Sequence, residues 1–465
     1  MKPFSVRHAV EVTNGAYSGP EALLDEQLKN VVIDSAKCSG GELFVPVRGA
    51  RFDGHVFIED AFRRGAVLTL SEKPVEGRPY VLVPDTVRAL QELARDYREQ
   101  FTMPVIVLTG SVGKTTTKEM IAAMLETRFR VHRNVGNLNN QTGLPQTIFT
   151  MDDGYDVSVM EVGTNHYGEI EPLSRMAEPD VCLFTNIGIS HIENFGSREG
   201  IFREKSMVLS HARQGVRVIV NGDDDLLSGM KHDLSFGCAP GCEVGAEDVE
   251  DLGLDGVRFT LRAAGGRGKV HVRYPGRHLV DDAAAAASVG VLMGLKTEEI
   301  CRGLEAYRPY HGRMDVIRLP RLTIVDDTYN AVLASGKNAL DLLGGVKTRR
   351  VAVLGDMREL GGETERLHRE LGAYAASRAD LILYAGEQAR FFTEGTEGAG
   401  SAAVIAFDTR DGLEEALPGY VRAGDTVLVK ASRSLEFEHT VALLETLFGK
   451  EEAGARSGAG GKDTE

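Results

Sequence analysis

The chain has 465 residues, which at about 150 residues per domain predicts three domains, each able to bury its own core. With 42% apolar and 26% charged residues it is not collagen-like, disulfide-stapled or disordered as a whole, and no apolar run reaches the ~18 residues of a membrane span. Its 53 basic and 68 acidic side chains give a net charge of −15, which argues against nucleic-acid partners and obliges any anionic substrate to be met by local positive devices.

The N-terminus, Met1 to Val12, lacks the apolar stretch of a signal peptide, so a cytoplasmic protein without membrane insertion is expected. Residues 1–102 read as a small mixed α/β domain. Leu43–Val47 and Tyr80–Val83 are strand candidates, and His55–Arg64 is a helix candidate. A further helix begins after Asp85 as N-cap, with Val87, Leu90, Leu93, Ala94 and Tyr97 along one face. Pro104 marks a boundary. In residues 103–312, strands Val105–Leu108, Val157–Met160, Val181–Phe184 and Val216–Val220 alternate with helices that include Lys118–Phe129 and Ile201–Ser210. That alternation is the pattern of a parallel sheet covered on both faces. Cys238–Tyr274 is less regular, with short β-like pieces, and Ala283–Ala287 opens a helix. Residues 313–450 alternate again, with strands at Leu322–Val325, Arg350–Leu354, Leu381–Tyr384, Ala403–Ala406 and Thr426–Val429, predicting a Rossmann-like α/β domain. The glycine-rich polar tail 451–465 is expected to be disordered.

Five scattered cysteines, Cys38, Cys182, Cys238, Cys242 and Cys301, suit a reducing compartment rather than a disulfide framework. Cys238 and Cys242 flank a turn that supplies half a zinc site, and no second ligand pair follows at the usual spacing.

The sharpest motif runs from strand Val105–Leu108 through Thr109, Gly110, Ser111, Val112, Gly113, Lys114, Thr115 and Thr116 into a helix. A phosphate cradle needs that order. The glycines let backbone N–H groups converge, the helix N-terminus adds positive dipole, Lys114 faces the β/γ-phosphates and the Thr115 hydroxyl suits Mg²⁺. Two residues separate Gly110 from Gly113, where the common P-loop has four. This shortened loop resembles that of the Mur ligase family, the ATP-dependent amide-bond-forming enzymes of cell-wall precursor assembly. The segments Asn137–Pro145, Glu161–Ile170 and Thr185–Gly196 look like that family's asparagine, acidic and histidine motifs. Asp34–Ser35 with Gly41–Val45 and Phe52–His55, Val325–Ala331, Val353–Gly361 and Gly424–Arg433 extend the likeness over about residues 30 to 445. The last segments are similar to the branch that adds D-alanyl-D-alanine to UDP-N-acetylmuramoyl-tripeptide.

The resemblance implies a uridine-binding domain at 1–102, an ATP-binding domain at 103–312 and a closing Rossmann-like domain at 313–450. It implies acyl-phosphate chemistry in the cytoplasm by a monomer, with ATP and two Mg²⁺ ions. Catalytic roles fall on Lys114, His191 and Lys205, and metal ligation on Thr115, Glu161, His191 and Lys205, the lysine as a carbamate. ATP contacts fall on Thr109 to Thr116, Asn186, Asp282, Arg313 and Asp327. Substrate contacts fall on Ser35, Asn139, Asn140, Thr164, Asn165, His166, Tyr329 and Asn330. On the residues alone, Lys205 also reads as a solvated helix lysine beside Glu204, His191 as a loop packing residue, and Arg313 as half of an interdomain salt bridge.

The chain departs from the family pattern at Val112, Ala36, Leu279, Asp282, Val332–Leu333 and Met207. Asp282 stands where an asparagine amide is expected. These departures motivate two alternatives: a divergent ligase joining a different amine to a different carboxylate, or a paralogue that binds ATP without turnover.

Overall fold

In a computed structural model, residues 1–49, 52–309 and 312–449 are described; the tail reading for 451–465 lies outside them. The described chain forms two compact units. One comprises 1–247, 260–270 and 280–308; the other comprises 248–259, 271–279 and everything from 309 onward.

The first unit carries a five-stranded and a six-stranded sheet, besides a short antiparallel pair, Phe4–Ser5 with Gln27–Leu28. Near the N-terminus, strands Asn30–Val32, Glu42–Phe44, Leu68–Ser71 and Tyr80–Leu82 are parallel neighbours, closed by Ala16–Ser18 running antiparallel to Tyr80–Leu82. Helix Thr86–Glu99 follows, with the Asp85 carboxylate accepting from the Val87 and Arg88 N–H groups. The second sheet is wholly parallel, in the order Leu234–Phe236, Arg217–Asn221, Val181–Phe184, Val105–Thr109, Val157–Glu161, Val131–Arg133. Every residue of its three central strands is buried, as expected for a sheet covered on both faces. No gap in packing marks residues 102–103. Leu93, Tyr97, Phe101, Met103, Leu144 and Phe149 share one core, and the Tyr97 hydroxyl donates to the Met151 carbonyl (2.8 Å).

The second unit has strands Thr323–Asp326, Thr426–Lys430, Arg350–Gly355, Leu381–Ala385 and Ala403–Phe407 in parallel, with Asp315–Arg318 added antiparallel at one edge. Side chains alternate between two cores. Val325, Ala352, Ile382 and Leu428 enter one, while Ile324, Val351, Leu381 and Val427 enter the other, because successive strand residues face opposite sides.

Several expected elements shift. The P-loop helix is Lys114–Leu125, not Lys118–Phe129, because Gly113 at φ +83° serves as N-cap and the threonines form the first turn. Helix Ile201–Ser210 becomes Arg198–Ser206 and one 3₁₀ turn at Met207–Leu209, with Ser197 capping Gly200 N–H. His55–Arg64 splits into a 3₁₀ turn, Gly54–Phe57, and helix Ile58–Arg63. The helix opened by the alanine run is Leu279–Leu292. The irregular stretch holds three seven-residue strands, Gly245–Asp251, Val257–Ala263 and Gly266–Val272; charged residues on their open face masked the strand signal. Strands Val131–Arg133, Leu234–Phe236 and Asp315–Arg318 are too short to register by periodicity.

One buried group ties this fold to pH. His132, on the edge strand, has its Nδ1 2.8 Å from Ser158 Oγ and its Nε2 2.9 Å from Thr150 Oγ1. Burial pushes its pKa down from 6.5 to about 4. The unfolded chain therefore takes up a proton that the folded chain refuses, so stability falls as pH drops from 6.5 toward 4, by about 3 kcal/mol at most. His132→Gln is expected to flatten that part of a urea-midpoint-versus-pH curve; an unchanged slope would contradict the assignment.

Candidate active site

The chain passes from Val105–Thr109 to the Val131 and Val157 strands on one side, then crosses to Val181–Phe184 on the other. That reversal opens a crevice at the C-terminal strand ends, where such sheets bind ligands. Register places Glu161 opposite Leu108, and Phe184 opposite Thr109. The P-loop thus lies between the segment after Glu161 and the segment Thr185–His191.

The loop is tied down by its neighbours. Asn186 accepts from Val112 N–H and donates to Val112 C=O, both at 3.0 Å, while Thr185 Oγ1 donates to the same carbonyl (2.7 Å). Ser111 N–H donates to Asn186 C=O (3.0 Å), and Ser111 Oγ accepts from Gly188 N–H (2.8 Å). The Ser111 and Val112 N–H groups are therefore engaged within the protein, leaving the helix start as the loop's other source of N–H donors. There Thr117 N–H is bonded to Gly113 C=O (2.8 Å), so the N–H groups of Gly113 to Thr116 precede the helical ladder. Lys114 Nζ donates to the Gly110 and Ser111 carbonyls (2.9 and 3.3 Å). Both glycines are demanded by space: a Cβ at Gly110 would sit 1.9 Å from Thr185 Oγ1, and one at Gly113 2.5 Å from Asp282 Oδ1. Asp282 accepts from Thr117 Oγ1 (2.9 Å), binding helix Leu279–Leu292 to the P-loop helix.

Glu161 is buried and accepts from Thr115 Oγ1 (2.7 Å) and Asn139 Nδ2 (2.8 Å). Its backbone is held by Asn134, whose Oδ1 accepts from Glu161 N–H (3.0 Å) and whose Nδ2 donates to Glu161 C=O (2.9 Å). Asn134 thereby continues the sheet beyond the end of strand Val131–Arg133. The fully buried Lys118 donates to Asn134 C=O (2.6 Å) and pairs with Glu119 (3.0 Å). Asn134 and Lys118 escaped the sequence reading, because neither stands in a phosphate or metal motif. Asn134→Ala is expected to cost about 2 kcal/mol by leaving two buried backbone groups unbonded; thermal melting reads the loss, and an unchanged melting temperature would refute it.

Lys205 is 4% exposed. Burial first, and then the neighbouring Lys114 charge, hold its ammonium well below the ordinary lysine range, opposed by Glu204 and Glu161. The solvated-lysine reading of Lys205 is thus corrected: the side chain is inside, where the neutral amine is favoured. His191 sits at φ +57°, at the start of the turn Ile192–Phe195. Thr164 is buried, whereas Asn165 and His166 are exposed. Asn140 Oδ1 accepts from Gly143 N–H (2.8 Å), so that side chain caps a helix start. Ser35 belongs to the N-terminal sheet region and donates to Asp60 Oδ2 (2.8 Å).

The remaining assigned residues lie in the second unit. Arg313 stacks 3.9 Å from the centre of the Tyr329 ring. Asp327 accepts from Lys430 Nζ (2.5 Å) and from Met314 N–H (3.2 Å), and Lys430 also donates to Asn330 C=O (2.8 Å). Lys430 is buried at its strand end and stands in no phosphate or metal motif; its pairing with Asp327 depends on the register of two strands about a hundred residues apart in sequence.

The residues of the first unit fit a magnesium nucleotide. A hydroxyl and a carboxylate form a hard oxygen donor pair, and Mg²⁺ is held by one or two carboxylates together with phosphates rather than by a protein cage. Among the described residues no group of three His, Cys, Asp or Glu could hold a metal ion alone. The half zinc site gains no support, since the Cys242 thiol is buried while Cys238 is exposed.

This architecture and loop place the molecule among known proteins. The Mur ligase middle-domain model matches residues 108–290, the Mur ligase glutamate ligase domain 312–433, and the Mur ligase family catalytic domain 27–98; the chain belongs to the Mur ligase family. The UDP-N-acetylmuramoyl-tripeptide–D-alanyl-D-alanine ligase of Bacillus subtilis is 34% identical over 94% of this chain and 97% of its own. The ligase of the same description from Escherichia coli is 34% identical over 96% and 99%. Among solved structures, MurF from Acinetobacter baumannii superposes with a TM-score of 0.86 at 30% identity, covering 96% and 99%. MurF from Thermotoga maritima in complex with ADP gives 0.79 at 30%, covering 90% and 97%. The three-domain α/β architecture expected from the sequence is that of these structures.

Proposed function

We propose that the protein joins D-alanyl-D-alanine to UDP-N-acetylmuramoyl-tripeptide with ATP, as the relatives' names state for them. The observation that carries this reading is full-length similarity to two ligases of one activity, joined to a P-loop whose Lys114 bonds the loop carbonyls and whose Thr115 bonds Glu161. No observation favours a different amine or carboxylate, or binding without turnover.

In this reading residues 1–102 hold the uridine end, 103–312 the ATP, and 313–450 form the third, Rossmann-like domain. A carboxylate oxygen of the tripeptide attacks the γ-phosphorus as the bond to the β-phosphate oxygen breaks, giving an acyl phosphate and ADP. The amine of D-alanyl-D-alanine then attacks the acyl carbon, loses a proton, and phosphate leaves with the C–O bonding pair. Both reactants of the first step are anionic and repel strongly in a poorly hydrated cleft. Lys114 and the N–H groups at the P-loop helix start supply fixed positive charge where it develops on the transferring group. Thr115 and Glu161 would hold one Mg²⁺, and His191 with a carbamate on Lys205 a second; when bound, the ions neutralise phosphate charge and align the reactants. A neutral buried amine, as the surroundings of Lys205 favour, is the form that reacts with CO₂. Asn139, Thr164, Asn165 and His166 are assigned to the tripeptide side.

Phosphate release that requires ATP, the UDP-linked tripeptide and D-alanyl-D-alanine together, that is lost on chelation and restored by Mg²⁺, is the expected result. Release without the dipeptide, or none with all three, would overturn the reading.

A further inference from the structure

The segment after Glu161 carries Thr164, Asn165 and His166, yet two of these three are exposed. Its shape is set by two carboxylates. Glu169 Oε2 accepts from Asn165 N–H (2.7 Å), His166 N–H (3.1 Å) and Thr164 Oγ1 (3.1 Å). Glu204 is 3% exposed and takes the other end: its Oε2 accepts from Gly168 N–H (2.9 Å), and its Oε1 from Glu169 N–H (3.0 Å) and Ile170 N–H (2.9 Å). These donors open helix Ile170–Ala177, so a carboxylate from a separate helix caps that start. Two further ties join the same segments. Tyr167 donates through its hydroxyl to Phe195 C=O (3.0 Å), and Asn194 Nδ2 donates to Asn165 C=O (2.8 Å).

We propose that Glu204 is a positioning residue which fixes the Thr164–Ile170 segment in its substrate-facing form and thereby controls engagement of the UDP-linked peptide rather than of ATP. Glu204 touches no P-loop residue among its hydrogen bonds, and all three of its bonds go to the one segment. Every donor is a backbone N–H, which an anionic acceptor satisfies better than a neutral one. The side chain precedes Lys205 in helix Arg198–Ser206, so the helix that presents the lysine also locks the segment. Met207 lies one turn further along the chain and is 37% exposed; it offers no carboxylate of its own. The kinetic half of this inference rests on the function proposed above, whereas the structural half does not.

Glu204→Gln keeps the volume and replaces one acceptor oxygen with an amide that repels the same donors. In the full-length protein, amide exchange at Gly168, Glu169 and Ile170 is expected to accelerate at least tenfold while helix Lys114–Leu125 keeps its protection. In the complete reaction, KM for the UDP-linked tripeptide is expected to rise at least fivefold with KM for ATP within twofold, and Glu204→Asp is expected to recover part of the loss. Unchanged exchange in Glu204→Gln would overturn the proposal irrespective of turnover. Accelerated exchange with both KM values raised alike, or with kcat alone reduced, would overturn its assignment to the peptide substrate. Failure of the wild type to turn over would instead count against the proposed reaction, and the exchange result would still decide the role of Glu204.

Discussion

Lys114→Ala is expected to lower ATP-dependent phosphate release by about 10³-fold, equivalent to ~4 kcal/mol of barrier, while leaving the fold intact. The ammonium group is partly exposed and donates to the Gly110 and Ser111 carbonyls of its own loop. On substrate binding those bonds are exchangeable for phosphate oxygens, so the charge is available where negative charge builds up. The fold does not depend on it: the loop is held independently by Thr185 and Asn186, and alanine is favoured at the start of a helix interior. Steady-state phosphate release and thermal melting together test this. Activity near that of the wild type would remove the P-loop from the reaction, and a collapse in melting temperature would make the loss of activity a folding effect.

Lys205→Met is expected to separate function from stability in opposite directions. Under the carbamate ligation proposed above, turnover falls by about 10³-fold, because the position that would hold the metal offsetting the carboxylate–phosphate repulsion is lost. Melting temperature, measured in CO₂-free buffer near neutral pH, rises. The reason is burial. Folding drives the Lys205 pKa down, so at neutral pH the unfolded chain holds a proton that the native chain disfavours, and wild-type stability increases with pH in this range. The advantage of methionine is therefore largest at low pH and vanishes above the ordinary lysine pKa of ~10.4. A mutant that melts lower than wild type throughout would show that the buried amine is stabilising and would remove the electrostatic argument. A second measurement checks the modified form: intact mass of wild type equilibrated with CO₂ under non-denaturing conditions, against the methionine variant.

Much of the site was legible because its chemistry follows local sequence. The glycine spacing, Lys114 and Thr115 announce a phosphate loop, and a strand ending at Glu161 carries that carboxylate to the same end of the sheet. Strand positions were read closely wherever apolar runs are continuous, as at Val181–Phe184 and Arg350–Gly355. The polar strands of 245–272 register in sequence only as short β-like pieces, since an open face leaves only half of each strand apolar. The helix start at Lys114 was misplaced by four residues because a positive-φ glycine cap leaves no side-chain signal.

Sequence by itself determined that the chain is an α/β protein with a phosphate loop, since periodicity and glycine spacing are properties of neighbouring residues. It also supplied the order of motifs that marks the family. Only the tertiary structure decided that Lys205 is buried, that Asn134 completes the sheet at Glu161, that Asp282 fills the space over Gly113, and that Glu204 caps a helix from outside. Each of these depends on groups far apart in sequence, or on burial by many segments at once. Solvent exclusion and hydrogen-bond satisfaction are set by what folding brings alongside, and no local pattern encodes them.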